Sequence, residues 1–395
     1  MNKAVYIVAA KRAAVGKAKR GGFAKQRPDE LLAKVIADVV SQSKIDPKDI
    51  SDVIIGCAFP EAEQGQNVAR IASLLAGLPD SVPGITVNRY CGSGLNSIAM
   101  AANVIALGQA DVMLAGGIES MSLIPMGGND WSASPEIFKK DENIAIAYGM
   151  GITAENVANE WKISRADQDA FAAQSHKRAI AAINAGYFKD EIVPVEVDHE
   201  LPDENSGKII NKKVLVDTDE GPRADTNLEA LAKLKPAFAA KGSVTAGNSS
   251  QMSDGAACLV LVSEDYLKKH NLTPLGKFLG FVVAGVPARI MGIGPVKAVP
   301  MALEQAGLTL DQIDWIELNE AFAAQGLAVI RDLKLDEEKV NPCGGAIAMG
   351  HPLGATGAIL TTKLLYGLRR TGKKYGMVTM CIGTGMGAAG IFERV

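Results

Sequence analysis

Cys91 lies in "NRYCGSGLNSIAM", where an apolar run ending at Val87 gives way to a small-residue helical pattern. A helix start offers unpaired N–H groups and the positive end of a dipole, which favour thiolate and lower a cysteine's pKa. Gly92, Ser93 and Gly94 let a substrate approach the backbone closely, so the segment could carry a covalent nucleophile. The bland reading of the same residue is a small buried core cysteine. His351 sits in "GGAIAMGHPLGATG", between glycine clusters and before a proline at a helix start. It could simply cap that helix, or act as the base that a nucleophilic cysteine needs. His176, His199 and His270 lie in charged stretches and are expected to be exposed. Cys381, in "MCIGTGMGAAG", places a second thiol where the last expected strand ends at a Gly-rich turn. The GxGxxG spacing there is no dinucleotide fingerprint, because only "IFERV" follows Gly390 and no helix can receive a pyrophosphate. Asn319, in "ELNEAFA", closes a further strand-to-helix turn with an amide able to orient a water. Two thiols, an imidazole and an amide on four such turns suit acyl transfer through a thioester, one cysteine carrying the acyl group and the other moving protons.

The elements that must position these residues alternate. "AVYIVAA", "DVIIGCA", "GITVN" and "DVMLAGG" read as strands, and "DELLAKVIADVVSQS" and "QNVARIASLLAG" as helices with one apolar face. Strand–helix alternation predicts a largely parallel, buried sheet covered by helices. From Glu119 to Asn248 the pattern breaks: a helix begins at Ser164 with a capping signature, loops are frequent, and no run of buried strands occurs, so the stretch reads as an insertion over the sheet. Alternation returns with "ACLVLVS", "GKFLGFVVAGV", a helix from Val296, "IDWIELN", the helix after His351 and "GMVTMCIG". The two stretches of alternation echo each other. An offset of 351 − 91 = 260 sets Cys91 against His351 and Gly94 against Gly354, as in a duplicated domain whose copies face each other.

Length alone predicts two or three compact units at about 150 residues each. A net charge of −3 gives no support for nucleic-acid binding. No apolar run reaches the roughly 20 residues of a membrane span. The five cysteines form no CxxC pair, so neither a zinc site nor a disulfide framework is indicated, and a reducing, cytoplasmic setting fits. Eight basic residues and no acidic one between Lys3 and Arg27 resemble a transit peptide in composition. They fall around a first core strand, however, and the structural reading is preferred.

Beyond the individual residues, "NRYCGSG", "GGIESMS", "MGITAENVA", "TAGNSS", "NEAFA", "GGAIAMGHPLGATGA" and "CIGTGMGAAG" together resemble the thiolase family, from "IVAAKR" to the last strand. The resemblance implies an α/β fold of duplicated thiolase-like halves in a layered αβαβα core with an inserted loop domain. Residues 1–119 with 249–270 would form the first half, 120–248 the loop domain that holds coenzyme A, and 271–395 the second half. It implies that Cys91 takes the acyl group, His351 activates it, and Cys381 is the acid/base. Asn319 would hold a water that stabilises the enolate with His351, and the N–H groups of Cys91 and Gly383 would form a second oxyanion hole. Arg223 would lie beside the adenine of coenzyme A, Ala246, Gly247 and Ser250 along the pantetheine, and Phe322 and Met150 at the pocket wall. No metal or permanently bound cofactor is implied, since coenzyme A and acyl-CoA are substrates. A homodimer or homotetramer is expected, and docking to upstream β-oxidation enzymes is left open. One departure matters: many acetoacetyl-CoA thiolases carry a histidine directly before the Met-Gly of "MGITAENVA", and here Gly149 occupies it. That favours a degradative 3-ketoacyl-CoA thiolase over an acetoacetyl-CoA thiolase. Cys381 argues against a decarboxylating condensing enzyme, and the complete set of four residues against a non-catalytic binding protein.

Overall fold

In the computed structural model, residues 3–202 and 209–395 are described. The principal strands are β1 (Val5–Ala13), β2 (Asp52–Gly56), β3 (Gly84–Val87), β4 (Val112–Ser120) and β5 (Ser253–Ser263) in the first half of the duplication. β6 (Gly276–Gly285), β7 (Trp315–Leu318), β8 (Tyr375–Ile382) and β9 (Met386–Glu393) belong to the second. The longer helices are α1 (Pro28–Ser43), α2 (Val68–Leu75), α3 (Ser93–Ala106), α4 (Met150–Glu160), α5 (Arg165–Asn184), α6 (Gly294–Ala306), α7 (Ala323–Leu333) and α8 (Leu353–Thr371). α1 shows why they form: Leu31, Leu32, Val35, Ile36, Val39 and Val40 fall on one face and are all buried, with Pro28 at the first turn.

The strands run in the order β7-β8-β9-β6-β1-β5-β4-β2-β3. Each half repeats one pattern. β3-β2-β4-β5-β1 in the first corresponds to β7-β8-β9-β6 in the second, where a parallel bridge from Ile316 to Val340 stands in for the outermost strand. The half-sheets meet where β1 pairs β6 over three residues, Val5 to Ile7. α3 and α8 pack together between them, α8 touching β4 and β5 on one side and β8 on the other. α1 covers the outside of the first half and α6 that of the second, which gives the expected five layers. β4 and β5 are buried along their whole length because helices cover both faces.

Two expectations need correction. The sheet is mixed: β2 runs parallel to β3 and β4, and β7 to β8, but the β4–β5, β5–β1, β1–β6, β6–β9 and β9–β8 pairs are antiparallel. The alternation rule applies only where a helix makes the crossover. β5 returns after the insertion, and β9 after a tight turn at Gly385 (φ 92°), so neither is held to the parallel direction. Cys381 therefore does not end the last strand, because β9 follows it. "MGAAGIFE" looks like a turn by propensity, yet its small residues are what packing demands: a Cβ on Gly387 would lie 2.6 Å from the Gly294 Cα at the start of α6.

The offset between the halves is met in the fold. α3 starts at Ser93 and α8 at Leu353, and 353 − 93 = 260. Their first turns touch through glycine: a Cβ on Gly94 would lie 2.8 Å from the Gly354 carbonyl oxygen and 2.9 Å from the Ala358 nitrogen. Residues 121–252, between β4 and β5, form the insertion, with α4, α5, a hairpin (Val195–Pro202 with Ile209–Val216) and a short helix, Leu228–Ala232. It is tied down by fully buried Arg12 of β1, which forks onto Asp219 (2.7 and 2.9 Å) and reaches Glu191 (2.8 Å).

Candidate active site

Tyr90 takes a left-handed φ of 45° and turns the chain sharply between β3 and α3. The turn is locked by Ser93, whose hydroxyl donates to the Tyr90 carbonyl (2.7 Å) and accepts from the Arg89 N–H (2.8 Å). Cys91 follows, partly exposed, against Ala58, Met121 and Leu353. Its own N–H and that of Gly383 lie close enough to favour the thiolate. The lowered pKa expected of a helix start is not found. Burial pushes the thiol up to about 11 against those two N–H groups, and the Glu119 carboxylate adds to the rise. Desolvation outweighs the helix terminus here.

His351 stands at the equivalent turn of the second half, 5 % exposed. Its Nδ1 lies 2.6 Å from the Thr356 hydroxyl, which itself donates to the Pro352 carbonyl (3.2 Å). Thr356 must then accept from Nδ1–H, so Nε2 carries the lone pair. That nitrogen faces the Asn319 Nδ2 at 3.3 Å. Burial lowers the imidazole to about 4, which keeps it neutral at pH 7 and able to accept a proton. Asn319 is held by its backbone, whose N–H extends the β7–β8 pairing to the Thr379 carbonyl (2.9 Å). Its Oδ1 is buried with no partner among the described residues, an acceptor available to a water or ligand.

Cys381, 1 % exposed in β8, packs in a cluster with Met150, Met291 and Phe322. Burial first, and then neighbouring Cys91, raises its thiol well above the usual range, so it rests protonated. Gly383 follows directly after β8, and a Cβ there would lie 3.7 Å from the Met150 sulfur. The first-half thiol, the second thiol and the Gly383 N–H thus share one spot, and His351 and Asn319 form a pair beside α8.

The residues expected along coenzyme A divide into two groups. The loop carrying Ala246, Gly247 and Ser250 is stitched to both second-half turns: Ser250 N–H bonds to the Ala321 carbonyl (2.9 Å), Ala323 N–H to that of Asn248 (2.9 Å), and His351 N–H to that of Gln251 (3.1 Å). Gly247 packs closely there: a Cβ would lie 2.5 Å from a Leu234 methyl carbon, so a side chain would require that leucine to move. Buried Phe322 meets Phe238 edge-on, with ring centres 6.0 Å apart. Arg223 lies outside this group, exposed and forked onto Asp225 (3.2 and 3.1 Å), on a cleft of about 460 Å³ beside α5.

Several residues that brace these turns escaped the sequence. Glu119 accepts from the N–H groups of Ala58 and Gly354 (2.8 Å each) and from Gln64, joining the loop after β2 to the first turn of α8. A charged residue inside the buried run "AGGIES" was the available signal. Glu155 on α4 accepts from the Ser243 and Val244 N–H groups and holds the start of the loop that carries Ala246, Gly247 and Ser250. Thr356, which sets the His351 tautomer, gives no sequence signal. His176 is not exposed, as expected, but 6 % exposed, because α5 turns that face inward. Among the described residues no cluster of His, Cys, Asp and Glu is arranged to hold a metal, and no helix is long and apolar enough to cross a membrane.

Residues 5–265 match the model of the thiolase N-terminal domain, and residues 272–394 that of the thiolase C-terminal domain. The chain is 51% identical over 392 residues to a 3-ketoacyl-CoA thiolase of Bacillus subtilis, covering 99% of each. It superposes on human mitochondrial 3-ketoacyl-CoA thiolase with a TM-score of 0.89 at 40% identity, covering 100% of this chain and 99% of that one. The match to the acetyl-CoA acetyltransferase of Bacillus anthracis has the same TM-score, 0.89, at 40% identity and the same coverage. The fold alone therefore does not separate the two activities. With both domain models matched across nearly its whole length, the chain belongs to the thiolase family.

Proposed function

We propose that this protein is a degradative 3-ketoacyl-CoA thiolase, splitting 3-ketoacyl-CoA with coenzyme A into acetyl-CoA and a shortened acyl-CoA. The observation that carries the reading is the His351–Asn319 pair (3.3 Å) at the turn equivalent to that of Cys91, with the Cys381 thiol close to Cys91. Neutral His351 takes the Cys91 proton as the sulfur attacks the C3 ketone. The C2–C3 bond breaks and its electron pair forms the acetyl-CoA enolate, with Asn319 and His351 at its oxygen. Cys381 gives its proton to C2 and is left as thiolate. That thiolate then takes the proton of coenzyme A, whose sulfur attacks the acyl thioester on Cys91. The Cys91 and Gly383 N–H groups hold the oxyanion, each such donor contributing about 3 kcal/mol. Cys91 leaves with the proton held by His351, and the cycle closes with atoms and charge balanced.

The degradative subtype is supported by the name of the 51% identical relative and by Gly149. Gly149 is exposed beside Met150, which packs by Cys381, with φ −60° and nothing within 4 Å of where a Cβ would stand, so no polar side chain stands at this position. Initial rates of CoA-dependent cleavage across chain lengths test this. Activity rising from four to eight carbons supports it, and a sole preference for acetoacetyl-CoA contradicts it. The division at 119/120, 248/249 and 270/271 belongs to the same reading, supported by β4 ending at Ser120 and β6 starting at Gly276. So does a homodimer or dimer of dimers: β3 is an edge strand with Ile85 43% exposed, and Leu74 and Leu75 are exposed on neighbouring α2. Sedimentation showing only a 41.4 kDa species at micromolar concentration would rule out self-association. Five free cysteines suit a reducing, cytoplasmic setting.

A further inference from the structure

Glu119 is a buried carboxylate beside the reacting groups for which the reaction above has no use. It lies near the end of β4, 1 % exposed. One oxygen accepts from the N–H groups of Ala58 and Gly354 (2.8 Å each), the other from the Phe59 N–H (3.4 Å) and the Gln64 amide. All four donors are neutral. Burial raises the carboxyl's pKa, opposed by the Ala58 and Gly354 N–H groups. With two N–H donors on each oxygen, the acceptor-only ionised form is the one that fits.

These contacts join the turn before α3 to the start of α8. On the second-half side, Gly354 lies three residues after His351, and α8 starts with no capping bond from the side chain before it. Glu119 supplies the anion that such a helix start favours. It can reach because the packing is tight: a Cβ on Gly354 would lie 2.6 Å from the Ala58 nitrogen and 2.8 Å from a Glu119 oxygen. On the first-half side, the Ala58 carbonyl accepts from the Asn88 Nδ2 (2.9 Å), and the Asn88 Oδ1 accepts from the Tyr90 N–H (2.8 Å). A chain of hydrogen bonds therefore runs from the helix turn that follows His351 to the residue before Cys91, with Glu119 in its middle. The same charge works against ionisation of the Cys91 thiol.

We propose that Glu119 is a positioning residue: its carboxylate fixes the start of α8 against the turn that carries Cys91, and so sets the geometry in which His351 takes the thiol proton. It acts through the two backbones and not on the substrate. The step it serves rests on the function proposed above; the chain of hydrogen bonds does not.

The test uses the whole protein and two readouts on Cys91: single-turnover acylation by an acyl-CoA, and alkylation by iodoacetamide at pH 8. Glu119→Asp keeps the charge but falls one carbon short. Its acylation should slow about 10²-fold, the scale of a misplacement of about 1 Å, with alkylation within about twofold of wild type. Glu119→Gln should slow acylation as much, because its amide nitrogen meets N–H groups. Its alkylation should instead speed up about tenfold, the thiolate gained when the thiol's pKa falls by about one unit. Asn88 is exposed, so Asn88→Ala tests the chain even if the buried variants fail to fold. It should slow acylation about tenfold, the scale of one hydrogen bond. Combined with Glu119→Asp it should slow acylation no further, since both break the same chain. KM for coenzyme A should stay within about twofold in every variant. Acylation of Asn88→Ala at the wild-type rate overturns the proposal and leaves the reaction intact, and so does Glu119→Gln slowed equally in both readouts. A wild type that forms no acyl-Cys91 sinks the reaction reading instead. Faster alkylation in Glu119→Gln but not in Glu119→Asp then still upholds the hold of Glu119 on the Cys91 turn, and equal rates overturn it.

Discussion

The first half of the duplication presents a thiol at the start of its central helix, partly exposed and under two backbone N–H groups. The second half presents an imidazole at the equivalent position, enclosed and under a threonine hydroxyl. The strand pattern and the 260-residue offset are shared, and the difference lies in burial and in what the neighbours donate. Burial acts oppositely on the two groups: it moves the thiol up to about 11 and the imidazole down to about 4. Both are then neutral at rest, and neither half bears an unpaired buried charge until substrate arrives. A pre-formed thiolate–imidazolium pair, the arrangement suggested by the helix start alone, is disfavoured by desolvation. In the proposed reaction the proton therefore moves as the new bond forms, with the Cys91 and Gly383 N–H groups near enough to meet charge as it develops.

The comparison breaks most severely if the second half loses its base. His351→Ala should slow acylation of Cys91 by about 10²–10⁴-fold, the usual worth of a positioned general base. The wild-type single-turnover acylation rate should be flat from about pH 5 to pH 9. Below about pH 4 it should fall tenfold per unit, because imidazolium cannot accept the thiol proton. Rapid-quench measurements should find that acidic limb missing in the variant.

Next in size is the contact that sets the halves against each other. Gly94→Val pushes carbon into the Gly354 carbonyl and the Ala358 nitrogen, both backbone atoms that cannot step aside. It should cost about 3 kcal/mol of stability, the upper range of overpacking, seen as a lower urea midpoint. Gly77→Ala serves as the control, since nothing lies within 4 Å of its Cβ position; its positive φ of 79° should limit the cost to about 1 kcal/mol.

The smallest effect concerns specificity. Each methylene buried in the acyl pocket contributes about 0.8 kcal/mol, or roughly fourfold in affinity. Gly149→His should therefore lower kcat/KM for six- and eight-carbon substrates by several-fold per added pair of carbons while sparing acetoacetyl-CoA. With φ at −60°, the backbone accepts the side chain without strain, so a lost profile would not reflect misfolding. An unchanged chain-length profile would place the acyl group away from Gly149.

The sequence makes the duplicated layout legible because helix starts, glycine clusters and the offset are local patterns. Cys91 and His351 each precede their helix by two residues, as the offset requires. Strand direction was not local: β5 and β9 are antiparallel because of how the chain returns to them, which periodicity does not encode. β9 was missed because small residues, chosen to let α6 lie on it, lack strand propensity. The pKa of Cys91 was misjudged for a related reason, since a turn reveals its N–H groups and dipole but not how much water the rest of the fold removes. His176 and Glu119 depend on which face of α5 and which end of β4 turn inward, and tertiary packing alone decides that.

The central claim is that the first-half thiol carries the acyl group and the second thiol only moves protons. It is tested most directly by mixing the protein with an acyl-CoA, quenching in acid and mapping the modified peptides by mass. The account predicts one acyl group per chain on the peptide containing Cys91, formed in Cys381→Ala as well as in wild type. Acyl label on Cys381 with Cys91 unmodified would contradict it.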